Sequence, residues 1–232
     1  IPPLTQGPAP HHFFDGTAVT AEWIFVLDTV NHCFWPDVGS PRWTVYSGNE
    51  ALSGYWALAA SLKRAMEEGF PLHRATTLAR LDSQTLAHIF RGKGNIPLFE
   101  ERLANLRQAG QILLDRFQGS FIHLLEEAGG SPNAFVDLLA GEFPSFNDTA
   151  TYRGKKVYFY KRAQLLIHDL WCNFSGDSYG RFTALDQLTA FADYKLPQVL
   201  RHLGIIQYEP ELAGIIQNFE LIPSGSPEEV EI

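Results

Sequence analysis

What most constrains this chain is a succession of helix-period segments, each fenced by a residue that starts or stops a helix. From Thr17 the apolar residues Trp23, Ile24, Leu27 and Val30, followed by Asn31, fall on one face, with Thr17 or Thr20 available as cap. Asn49 is expected to cap a second helix carrying Leu52, Tyr55, Trp56, Ala59, Leu62 and Met66, with Gly69 as its stop. Further helices are expected from Asp82 to Gly92, Pro97 to Phe117, Phe121 to Ala128 and Pro132 to Ala140. In the last of these, Pro132 suits the first helical position after a Ser131 cap. Another helix ends at Asn173, with Ala163, Leu166, Ile167, Leu170 and Trp171 on its core face. Two more are expected over Leu185–Phe191 and after Asp193, where Leu196, Val199, Leu200 and Leu203 lead to Gly204.

Strand signals are few. Arg42 to Tyr46 reads as a short strand, and Tyr152-Arg153-Gly154-Lys155 as a turn between strands Thr149–Tyr152 and Lys156–Phe159. The fold class expected is therefore mostly α: a single helical domain over residues 1–232 with one or two small β ribbons, and a Pro-rich N-terminal arm over 1–16. The alternation of Val230 and Ile232 at the end predicts the start of a strand and a chain that continues.

A net charge of −8 excludes a basic nucleic-acid footprint, since basic runs such as Lys155-Lys156 and Lys161-Arg162 are far too short to supply one. Intact nucleic acid is not an expected partner; a small molecule with one phosphate is. No apolar run reaches the length of roughly 20 residues that spans a bilayer, so no membrane partner is expected. The two cysteines, Cys33 and Cys172, have neither CxxC nor zinc spacing, which suits a reducing cytoplasm. His11-His12 lies in the arm without ligand spacing, Gly92-Lys93-Gly94 lacks the setting of a phosphate loop, and no Ser-centred nucleophile elbow occurs.

The chemistry is expected where carboxylates sit beside aromatic rings: Trp35-Pro36-Asp37, Phe146-Asn147-Asp148, Asp169-Leu170-Trp171 and Phe191-Ala192-Asp193-Tyr194. Singly, each aspartate has an ordinary reading as a turn, a solvated helix position or a cap. Together, in a chain with 13% aromatic residues, they point to a site for a flat ligand that is cationic or guanine-like.

The blocks Asn31-His32-Cys33-Phe34-Trp35, Ser53-Gly54-Tyr55-Trp56, Phe143-Pro144-Ser145-Phe146 and Phe159-Tyr160-Lys161-Arg162-Ala163-Gln164 resemble the queuosine salvage protein family. So does the long block from Leu188 to Leu200, which contains Phe191-Ala192-Asp193-Tyr194-Lys195. Asp193 with the helix bearing Val199 to Gly204 is also similar to the catalytic aspartate and helix of the helix-hairpin-helix DNA glycosylases, although the Gly-x-Gly hairpin and the cysteine cluster loop are absent. The resemblance implies a cytoplasmic N-glycosyl hydrolase on a DNA-glycosylase-like scaffold. Its reaction would be hydrolysis of queuosine 5'-phosphate to queuine and ribose 5-phosphate, for salvage of the base into tRNA modification, with no metal or other cofactor.

Under that resemblance Asp193 is the catalytic carboxylate facing C1' of the ribose, ionised at a helix N-terminus. Phe34, Trp35 and Phe146 would stack on the base, and Asn147 and Asp148 would read its guanine-like edge. Asp37 or Asp169 would meet the ammonium of queuine. Lys161, Lys195 and Tyr158 would hold the phosphate, with Tyr194 beside them. An ion pair with a neighbouring carboxylate is the alternative for Lys161. Three other functions compete: a non-catalytic queuine or nucleotide carrier, a glycosylase acting on a base within nucleic acid, and a scaffold protein with an exposed apolar patch.

Overall fold

The computed structural model describes residues 9–36 and 39–232. The first helix, α1 (Ala18–Thr29), starts at Thr17, whose hydroxyl accepts from the Val19 amide. The sequence suggested one apolar face. In fact Thr20, Ala21 and every residue from Trp23 to Thr29 are buried, which makes α1 the centre of the bundle. Helices α2 (Tyr55–Glu67), α5 (Phe99–Arg116), α6 (Phe121–Ala128) and α8 (Lys161–Asn173) pack around it. Between α2 and α5 lie the short α3 (Ala75–Ala79) and α4 (Ser83–Ile89). The caps Asp82, Ser120 and Ser131 each accept an amide hydrogen bond at the start of α4, α6 and α7 (Pro132–Glu142).

The mostly α expectation with two small ribbons holds. Strands β1 (Thr44–Ser47) and β2 (Glu50–Ser53) form one antiparallel pair, with Thr44 opposite Ser53 and Ser47 opposite Glu50. Asn49 is thus a turn residue and not a helix cap. Gly48, with φ +57°, lets a two-residue turn close the hairpin, and Leu52 is buried as a strand residue. Helix α2 starts only at Tyr55, after Gly54 with φ +62° and ψ −137°, a conformation open to glycine alone. The second ribbon pairs β3 (Thr149–Tyr152) with β4 (Lys155–Tyr158) through Arg153-Gly154, both at positive φ.

Two other expectations change. Leu185–Phe191 is not a helix: a single 3-10 turn at Leu185–Gln187 gives way to an extended run. Gln164 fixes that run by accepting from both the amide and the hydroxyl of Thr189, at 2.8 and 3.1 Å. The C-terminal residues do not begin a strand. After α9 (Lys195–His202) and α10 (Pro210–Gln217), the chain ends in α11 (Pro227–Glu231), capped by Ser226 and lying against β3. No helix among the described residues is long and apolar enough to cross a membrane.

Two buried arginines fix the loop that follows α1. Arg102 of α5 is fully buried and has no carboxylate partner among the described residues. It donates to the main-chain oxygens of Val30, His32, Cys33 (2.6 Å) and Pro97 (2.9 Å). Arg162 of α8 donates to Thr29 at 2.7 Å and to Ser145. Burial pulls Arg102 down to about 10, still high enough to keep it charged at neutral pH. Two guanidinium groups thus hold the segment that carries Phe34 and Trp35.

Candidate active site

The loop held in this way forms one wall of a cleft of about 970 Å³, at the upper end of the range of roughly 300–1,000 Å³ usual for small-molecule sites. Arg42 and four other segments complete it: the arm at Ala9–His12, the Ser53–Trp56 junction into α2, one face of α8, and Phe191–Val199. On α8 the lining residues Lys161, Leu165, His168, Asp169 and Cys172 follow helical spacing, so one face meets the cleft while Leu166, Ile167 and Leu170 face the core. Tyr160, at φ +48°, turns the chain just before Lys161. The Phe159 and Tyr160 amides both donate to the Asp148 carbonyl, which anchors that turn.

Of the residues expected from the sequence, Phe34, Trp35, Lys161, Asp169, Asp193, Tyr194 and Lys195 meet in this cleft. Asp37 lies outside the described residues. Phe146, Asn147, Asp148 and Tyr158 do not line the cleft. Phe146 is a core ring stacked on Phe25 at 6.0 Å, so it has no free face for a base. Asn147 and Asp148 are exposed between the 3-10 turn Pro144–Phe146 and β3. Tyr158 is exposed on β4 beside a separate hollow with Asn133, Asp137 and Gln164.

Asp193 precedes α9. Its Oδ1 accepts from the Lys195 amide at 2.8 Å and its Oδ2 from the Lys161 ammonium. Burial pushes this carboxyl up, but the Lys161 hydrogen bond, the Lys195 amide and the two lysine charges outweigh it and leave the group below the usual carboxylate range. It is ionised at neutral pH. Lys161 is therefore an ion-pair partner of Asp193, the alternative that its sequence position had left open.

Trp35 is gripped by cations: the Arg42 guanidinium lies 4.2 Å and the Lys195 ammonium 4.8 Å from its ring centroid, with Tyr194 edge-on at 5.7 Å. Arg42, His12, His32, Tyr55, Trp56 and His168 were given no site role from the sequence, yet all line the cleft. Burial, with Arg102 and Arg162 nearby, pushes His32 down to about 3, so it is neutral. His168 is held up to about 10 by its hydrogen bonds to Asp169 and Cys172, against its burial. The Ser53-Gly54-Tyr55-Trp56 block carried a signal, since a glycine before two aromatics marks a constrained turn. Nothing local marked His12.

A helical bundle whose cleft combines an ionised carboxylate, several cations and aromatic faces defines a binding or catalytic site for a small anionic ligand with a flat ring system. The model of the queuosine salvage protein family matches residues 11–232, and the chain belongs to that family. It is 52% identical over 221 residues to the queuosine 5'-phosphate N-glycosylase/hydrolase of Sphaerobacter thermophilus, covering 95% of this chain and 68% of that protein. The proteins of the same name from Nematostella vectensis and Mus musculus are 42% and 37% identical, over 92% and 90% of this chain. The chain spans 62% and 63% of the length of those two relatives.

Proposed function

We propose that this protein hydrolyses the N-glycosidic bond of queuosine 5'-phosphate, giving queuine and ribose 5-phosphate. The observation that carries the reading is Asp193: a carboxylate kept ionised by two lysines, at the edge of a cleft large enough for a nucleotide. Queuine is a 7-deazaguanine, so its departure cannot be assisted by protonation at N7. More of the catalysis must then come from stabilising positive charge at C1', which is the task of a fixed carboxylate. Whether Asp193 bonds to C1' or acts through its charge, it serves this end.

The cations on the same side suit the 5'-phosphate. Lys195 and Arg42 sit together over Trp35, and Lys161 adds positive charge while it holds Asp193. Phe34 and Trp56 offer rings to the base, and Asp169 lies on the base side, deeper than Asp193. The charge of −8 is unsuited to a glycosylase that works on a base within nucleic acid. The test is to incubate the purified protein with queuosine 5'-phosphate and identify products by mass. Catalytic release of queuine and ribose 5-phosphate is expected. Stoichiometric binding without release would replace this reading with that of a carrier.

A further inference from the structure

His12 comes from the arm, yet it is buried and lines the cleft. Its surroundings decide where its protons are. The Asn173 Nδ2 amide donates to the Asp169 carbonyl at 2.7 Å, which turns its Oδ1 toward His12 Nδ1 at 3.2 Å. His12 Nδ1 must therefore carry hydrogen. On the other side of the ring, the Tyr55 hydroxyl lies 2.6 Å from His12 Nε2 and 3.3 Å from Asp169 Oδ2. A neutral His12 takes Tyr55's one proton at Nε2, and two oxygens are then left facing each other with no proton between them. The chain of contacts is fully satisfied only with one more proton. Either it sits on Nε2 and Tyr55 donates to Asp169, or it sits on Asp169 Oδ2 and is donated to Tyr55. A shift of one proton along each of the two hydrogen bonds interconverts these arrangements.

We propose that His12, Tyr55 and Asp169 form a proton relay ending in the cleft. Asp169 delivers the proton that the departing base requires, and Tyr55 and His12 position and replenish it. This rests on the glycosylase reading above. Tyr55 first passes its hydroxyl proton to Asp169 and receives one from His12 Nε2. As the C1'–N bond breaks, its electron pair stays with the base, and a base ring nitrogen takes that proton from Asp169, leaving His12 neutral and Asp169 ionised. Water adds its oxygen to C1' and releases one proton, which restores His12. One water is consumed and the ring of the base leaves uncharged.

Burial pushes His12 down, although Asp169 and Asn173 pull the other way. His168 Nδ1 lies 3.3 Å from Asp169 Oδ1, the oxygen that Tyr55 does not face. The other groups facing the relay are Asp28 of α1, Lys63 of α2, Cys172 of α8 and His11 of the arm. Burial, and then the Asp169 charge, hold Asp28 well above the carboxylate range. Tyr55 is pushed far up by burial and by Asp169 and keeps its hydroxyl proton at rest.

The test compares wild type, Tyr55→Phe and His12→Gln on two substrates. One is queuosine 5'-phosphate. The other is ribose 5-phosphate bearing 4-nitrophenoxide at C1', a leaving group that departs without a proton. On queuosine 5'-phosphate both variants should lose about a hundredfold in kcat with KM changed by less than about threefold. The loss should exceed that on the aryl substrate by about tenfold or more. An independent reading needs only the first substrate: wild type should lose kcat as pH rises through the relay's titration, and both variants should lack that limb. Unchanged kcat, equal losses on both substrates, or an unaltered alkaline limb would overturn the relay. Wild type inert toward queuosine 5'-phosphate would instead refute the glycosylase reading itself.

Discussion

Lys161 and Asp193 form an ion pair that ties the first residue of α8 to the residue two before α9, across a sequence separation of 32. The carboxylate proposed to face the sugar is thereby aimed by a residue of another helix. Lys161 also keeps that carboxylate charged.

Asp193→Asn should fold normally and still bind queuine. Asn accepts the Lys195 amide as well as Asp does. The negative charge at C1' is lost, and one well-placed electrostatic partner of this kind is worth about 2.7–4 kcal/mol, or about a hundred- to a thousandfold in kcat. A thermal melt confirms the fold and steady-state kinetics give kcat. Near-normal turnover would remove Asp193 from the chemistry.

The pH dependence of activity supplies a second expectation. The Asp193 carboxyl is depressed in the folded protein, so activity that needs its charge is complete above the usual carboxylate range and falls only as pH drops through the lower, folded value. In Lys161→Met, burial is opposed only by the Lys195 amide and charge, and the acid limb of kcat should move to higher pH. A pH–rate profile of the variant checks this; a limb that stays in place would mean that Lys161 does not set the charge of Asp193.

Arg42 and Lys195 lie over Trp35 and are the cations expected to meet the phosphate. Hydrogen bonds to charged groups contribute about 1.5–3 kcal/mol each. Arg42→Ala and Lys195→Ala should each lower kcat/KM for queuosine 5'-phosphate by at least about tenfold. Cleavage of the free nucleoside should change far less, and wild type should prefer the phosphorylated form. Equal kcat/KM for the two forms in wild type would remove the phosphate site.

Arg102→Met should be among the most damaging substitutions outside the cleft. It deprives the oxygens of His32, Cys33 and Pro97 of the guanidinium donor and leaves Val30 with the His32 amide alone, and a buried acceptor left without a partner costs about 1–3 kcal/mol. Urea unfolding should show a loss of at least about 3 kcal/mol. A loss below about 1 kcal/mol would mean that water takes over the role of the guanidinium.

Much of the helical frame was legible because its signals are local. Thr17, Asp82 and Ser131 act as caps where the sequence placed them, and Arg153-Gly154 closes the second ribbon. The first hairpin was hidden because Leu52 keeps helical step with Tyr55 and Trp56, and only pairing with Val45 makes it a strand residue. The extended run after Gln187 owes its shape to Gln164, a partner 25 residues earlier. Helix α11 did carry a readable sign: Ser226 accepts from the Glu229 amide while Glu229 reaches back to the Gly225 amide, close to a capping box. In the site, motifs led to Asp193 and Trp35, whose neighbours in sequence are also neighbours in the cleft. The same reasoning overreached at Phe146, since an aromatic beside an aspartate looks alike in a core and in a pocket. It passed over His12, which becomes informative only when Tyr55 of α2 and Asn173 of α8 are brought to it.

The shallow seating of α9 has a consequence for how the cleft opens. Helix α9 buries only Pro197, whereas α1 buries Thr20, Ala21 and every residue from Trp23 to Thr29. The two sides of the cleft therefore belong to different levels of the native-state opening hierarchy. Amides of α9 should exchange through brief local excursions, and those of α1 only through global unfolding. Such excursions would let a nucleotide in and a free base out without disturbing the bundle. A ligand bridging Asp193 and α8 would then slow exchange chiefly in α9, making that helix the natural reporter of occupancy.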